Sequence, residues 1–116
     1  MDRLRRLLPL AGLALLAASA AWFHGPWAPA APPSAEQRLG ARKLRSFCLS
    51  CHVLDGPMSR NPLAPRVRGW TRAQAYERVA HLDRLSSAMI LNFQGTDEER
   101  WALAGALERL GKGERP

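Results

Sequence analysis

Cys48-Leu49-Ser50-Cys51-His52 constrains this chain more than any other stretch. On a helical turn, positions i, i+3 and i+4 share one face. Cys48, Cys51 and His52 hold those positions, so two thiols and an imidazole project to one side. Two thiols at that spacing can reach two vinyl groups on one edge of a porphyrin, with the imidazole beneath the iron. Cys-x-x-Cys-His is the attachment signature of a c-type haem. Shorter or longer gaps would scatter the three side chains around the helix.

Three other chemistries use a Cys-x-x-Cys pair. An exported protein can close it as a disulfide. A thiol oxidoreductase uses it as a redox pair, within a fold that alternates strands and helices. A zinc site needs four ligands, usually from a second pair at similar spacing. No convincing strand pattern is present, and the remaining histidines, His24 and His81, are isolated from one another.

The length sets a limit. The chain has 116 residues, enough for one ordinary domain. Once the leader is set aside, roughly 80 residues remain to fold, a marginal core unless something fills or staples it. A covalent haem would do both. Net charge is +7. Residues 1–20 hold three arginines and one aspartate, so of 17 basic and 10 acidic residues 14 and 9 remain, a net +5. The charges are interspersed and no nucleic-acid motif accompanies them, which points to an acidic redox partner or to a merely solvated surface.

Along the chain, Met1 to Arg6 is a positive leader and Leu7–Phe23 is apolar apart from Ser19. Residues 1–24 read as an export signal or an N-terminal membrane anchor. Ala18-Ser19-Ala20 suits cleavage, whereas Trp22, Phe23 and Trp27 suit an interfacial aromatic belt. Either way the remainder is expected on the extracytoplasmic, periplasmic face. Residues 25–34 form a Pro/Ala-rich linker. Residues 35–112 are the folded domain and 113–116 a short tail.

Three capping boxes mark helix starts: Ser34 with Gln37, Thr71 with Gln74, and Thr96 with Glu99. The first helix is predicted to reach Phe47, with Gly40, Leu44 and Phe47 on one stripe. The second runs to about Leu85, with Tyr76, Val79 and Ala80 inward. The third spans Asp97–Leu110, with Leu103, Leu107 and Leu110 inward and Gly111 as the stop. Helices joined by Gly- and Pro-containing loops make the fold class all-α.

Over about residues 35–111 the chain resembles the small single-haem class I cytochromes c. In that family a glycine lies eight residues before the first haem cysteine and a large apolar residue four before it. Gly40 and Leu44 occupy those places. The last helix of the family carries a Leu-x-x-aromatic-Leu stretch where it crosses the first; here Leu103-Ala104-Gly105-Ala106-Leu107 has alanine for the aromatic. That departure implies a thinner contact, refilled by Trp101 or Phe47. The resemblance implies a cytochrome c-like fold, with three main helices and loops around one covalent haem, preceded here by an N-terminal hydrophobic helix. It also implies that a proline element supplies a backbone carbonyl to the histidine's free nitrogen. Pro65-Arg66-Val67-Arg68-Gly69 fits that element, and Asn61-Pro62-Leu63 competes with it.

The resemblance further implies a methionine ligand on a loop before the last helix. Met89, 14 residues before Leu103, has that spacing. Relatives usually place proline directly after this methionine; here Ile90 follows. Met58 and His81 are the other candidates. The expected set is therefore Cys48 and Cys51 as haem attachment points, His52 and Met89 as axial iron ligands, and Pro65 near His52. Trp70 and Arg72 are residue types that donate to a haem propionate, or else a core tryptophan and a surface arginine. Asp55 and Asp83 read as solvated.

No acid–base or nucleophilic set accompanies the motif. The expected function is one-electron transfer rather than enzymatic turnover, as a carrier or as a subunit of a membrane oxidoreductase complex. A haem sensor with an open sixth site and a thiol oxidoreductase are the alternatives.

Overall fold

The computed structural model describes residues 30–116. The leader, the expected N-terminal helix and most of the linker lie outside the described residues. Residues 30–34 are irregular and exposed. No helix among the described residues is long and apolar enough to cross a membrane.

Among the described residues there are three α-helices and no strand beyond one isolated bridge, so the domain is all-α. Helix α1 spans Ala35–Phe47, α2 Arg72–Val79 and α3 Asp97–Gly111. All three capping boxes form in both directions. Each pairs two amide N–H groups that a helix start would otherwise leave open.

Helix α3 is the core. Ala102 through Leu107 are all buried, as is Leu110, because α1 packs on one side and α2 on another. At the α1–α3 crossing a Cβ on Gly40 would lie 2.2 Å from the Ala102 carbonyl oxygen and 3.3 Å from the Ala106 Cβ. The two backbones are in contact there, with the Ala106 methyl beside the contact. Neither Trp101 nor Phe47 refills the crossing. Trp101 is exposed, and Phe47 packs edge-on against Phe93 with ring centroids 5.3 Å apart. The space over Gly105 is taken by the Arg72 guanidinium, which a Cβ there would meet at 3.2 Å. Arg72 also stacks on Trp101 at 4.2 Å and pairs with Glu36 at 2.7 Å.

Helix α2 ends at Val79, short of Leu85. In a continued helix the Asp83 amide would bond the Val79 carbonyl. Instead Phe93 N–H donates to that carbonyl at 2.9 Å and Asp83 N–H donates to Asn92 Oδ1 at 3.1 Å. The incoming loop thus takes over two helix-propagating groups. Helix α3 stops by a Schellman motif at Gly113 (φ 84°), with Glu114 N–H to Arg109 O and Gly113 N–H to Leu110 O, both 3.0 Å. Gly111 lies within the helix and serves a contact: a Cβ there would stand 2.4 Å from the Val67 carbonyl.

Lys43 of α1 bonds the Glu99 carboxylate of α3 at 2.5 Å. That bond, then the Thr96 backbone N–H, holds the Glu99 carboxyl below its ordinary value of 4.5. A lowered folded-state pKa stabilises above the ordinary value and is lost as pH falls through the folded one. Glu99→Gln keeps a capping-box side chain but loses the ion pair. Its melting midpoint is expected below the parent's at pH 7, with the gap closing in acid; thermal scans across pH measure this.

Candidate functional site

The Cys-x-x-Cys-His segment follows α1 directly. The Cys48 amide still bonds the Leu44 carbonyl, and a 3-10 turn covers Cys48–Ser50. The Cys51 and His52 amides then both donate to the Cys48 carbonyl, at 3.3 and 3.0 Å. Cys48, Cys51 and His52 of this turn all line one cavity.

That cavity has a volume of about 620 Å³. Cofactor sites typically enclose about 300–1,000 Å³ and are mostly apolar. Leu63, Val67, Trp70, Val79 and Leu107 supply its apolar wall, and Met89 also lines it. Met58 is 66% exposed, His81 is exposed, and neither lines the cavity. Of the three residues weighed as a second axial ligand, Met89 alone lines the cavity that Cys48, Cys51 and His52 also line.

The His52 ring is tied through Nδ1, 3.0 Å from the Asn61 carbonyl oxygen. With Nδ1–H donating, Nε2 keeps its lone pair for another partner. The carbonyl therefore comes from the residue before Pro62. Pro65 lies one turn further on, in the exposed 3-10 turn Ala64–Arg66, so of the two proline elements Asn61-Pro62-Leu63 is the one beside His52. Leu63 N–H to Val53 O (2.8 Å) and Ala64 N–H to Leu54 O (2.9 Å) hold the two limbs of this loop together.

Arg72 lies outside the cavity, with its guanidinium donating to the Trp101 carbonyl at 3.1 and 3.2 Å. Trp70 does line the cavity, together with Arg66, a member of the Pro65 element that no motif marks as a cavity residue. Asn61 was likewise read only as a member of its tripeptide. An asparagine directly before a proline is a turn signal, and that was the available hint.

Cys48 and Cys51 are both free thiols. Burial pushes the Cys48 thiol up to about 12. Reactive thiol pairs need the opposite, a lowered value that yields thiolate at neutral pH. Among the described residues no three His, Cys, Asp or Glu side chains cluster as a metal site. The donor set that is assembled, two thiols, an imidazole with a free Nε2 and a thioether beside an apolar cavity, fits a covalent haem.

The chain matches no protein-family model, no curated protein and no solved structure.

Proposed function

We propose that this chain is a small c-type cytochrome that passes single electrons on the extracytoplasmic side of a membrane, as a carrier or as the haem subunit of an oxidoreductase complex. The observation that carries this reading is the convergence of Cys48, Cys51, His52 and Met89 on one apolar cavity. The cytochrome c-like fold belongs to the same proposal, supported by the Gly40 contact with α3.

Each residue then has a task. Cys48 and Cys51 would hold the haem as thioethers. His52 would ligate iron through Nε2 and Met89 through sulfur. When bound, haem supplies the ferrous/ferric couple. The apolar wall excludes water and keeps the charge change in a low-dielectric setting, so little rearranges per electron. Arg66 and Trp70 offer N–H donors to the haem carboxylates. Leu85, Ile90 and Leu91 line the cavity yet are 45%, 82% and 69% exposed, an apolar rim suited to brief contact with a redox partner. The net positive charge suits an acidic docking surface on that partner. Residues 1–24 would anchor the domain to the membrane if they stay uncleaved, and would otherwise leave it periplasmic.

A sensor reading draws on one feature. Ile90 stands where the class I cytochromes c that the sequence resembles usually carry proline, and the methionine loop is exposed beyond Met89. Rapid CO binding by the reduced parent protein would favour that reading.

The deciding experiment is intact-mass and optical analysis of the protein made with a haem-attachment system. The expected result is a mass above the polypeptide by one haem, together with a reduced c-type spectrum. A bare polypeptide mass with two titratable thiols would refute the proposal.

A further inference from the structure

We propose that the Asn61 side chain is a positioning group that sets how strongly His52 binds iron, by clamping the carbonyl that the imidazole faces to the haem-attachment turn. This deepens the haem reading and rests on it.

Asn61 is the one non-glycine residue with positive φ among the described residues, at 56°. Glycine adopts that conformation freely, and side chains other than asparagine and aspartate resist it. A position that needed only the backbone turn would be served by glycine. Here the side chain is in use: Asn61 Nδ2 donates to the Cys51 carbonyl at 3.1 Å. The same residue's own carbonyl accepts from His52 Nδ1 at 3.0 Å. One residue therefore grips two consecutive members of the attachment motif, the backbone of Cys51 and the ring of His52.

The grip is closed from the other side as well. Asn61 N–H donates to the Met58 carbonyl at 3.0 Å. Pro62, which follows, is buried and holds its own φ fixed. Leu63 N–H then bonds Val53 O at 2.8 Å. With its amide, carbonyl and side chain all bound, Asn61 cannot swing without breaking the bond to His52. These contacts tie the turn and the imidazole to one residue.

The electronic consequence follows from the ring's chemistry. A firm Nδ1–H···O bond makes Nε2 more basic, and a more basic donor favours the ferric state. Loosening the carbonyl weakens that bond and shifts the couple toward ferrous. The Cys51 clamp thus lowers the potential below the value an unclamped carbonyl would give.

Two variants separate the side chain from the backbone. Asn61→Gly keeps the left-handed turn and the carbonyl but removes the amide. Asn61→Asp keeps size and turn preference but presents an acceptor to the Cys51 carbonyl. Both are compared with the parent as haem-loaded proteins, by midpoint potential and by NMR hydrogen exchange of the His52 Nδ1 proton. The expected result is faster Nδ1–H exchange in both variants and, in Asn61→Gly, a ferrous-to-ferric ratio at fixed ambient potential raised by about tenfold, which is 59 mV for one electron; the carboxylate of Asn61→Asp adds a charge that favours ferric iron, so its rise is smaller. Tyr76→Phe, which removes a hydroxyl that donates to Asp97 Oδ1 and accepts from the Arg100 guanidinium, serves as the destabilised control and should leave both readouts at the parent's values. Parent values of both readouts in both Asn61 variants would overturn the proposal, even if thermal stability falls, and would leave the haem reading standing. Absence of haem from the parent protein defeats the haem reading itself, and that result is seen before any variant is made.

Discussion

Gly40→Ala is expected to lower the melting midpoint of the haem-loaded domain by about 8–16 °C. Helix propensity pushes the other way, favouring alanine over glycine inside a helix by about 1 kcal/mol. The contact overrides it. The new Cβ would lie 2.2 Å from the Ala102 oxygen and 2.9 Å from its carbon, and both are backbone atoms that no rotamer change can move. Overpacking a filled contact costs about 1–3 kcal/mol even when side chains can yield, so the upper end applies here. The net loss is about 2 kcal/mol, and for a domain of this size each kcal/mol is worth about 4–8 °C. Differential scanning calorimetry measures it. An unchanged or raised midpoint would mean that α1 and α3 do not cross backbone to backbone.

Met89→Ala is expected to abolish the weak far-red band that methionine ligation gives ferric haem, and to let the reduced protein bind CO rapidly. Met58→Ala and His81→Ala should retain the band. The expectation rests on placement: Met89 alone of the three lines the cavity with His52. Thioether sulfur is a soft donor that favours ferrous iron. Its loss should lower the ferrous-to-ferric ratio at fixed ambient potential by about tenfold or more, 59 mV per decade for one electron. That shift is opposite in sign to the one expected for Asn61→Gly, so the two sides of the iron can be told apart in one titration series. Loss of the band in Met58→Ala instead would displace Met89 from the site.

The helix starts were legible because capping is local. Ser34, Thr71 and Thr96 each meet a partner three residues on, and no distant segment is needed to complete the box. The second helix's end was not legible. Val79 and Asp83 would have continued it, but their hydrogen bonds go to Phe93 and Asn92, residues of a loop that no local pattern ties to them. Glycines show the same divide. Gly40 was readable as a close approach only through a resemblance, and the role of Gly111 depends on where the Val67 carbonyl comes to lie, whereas Gly113 is a local cap bonded within the last turn.

At the site, residues 48–52 by themselves determined that two thiols and an imidazole share a face, since helical periodicity acts over five residues without outside help. Met89, expected from its spacing before Leu103 through the resemblance, does line the cavity, but tertiary structure decided the rest: that Asn61 rather than the Pro65 element faces His52, and that Arg66 rather than Arg72 reaches the cavity. Those choices join residues far apart along the chain. They turn on which loops the packing of α1, α2 and α3 brings together, and spacing along a sequence carries no information about that.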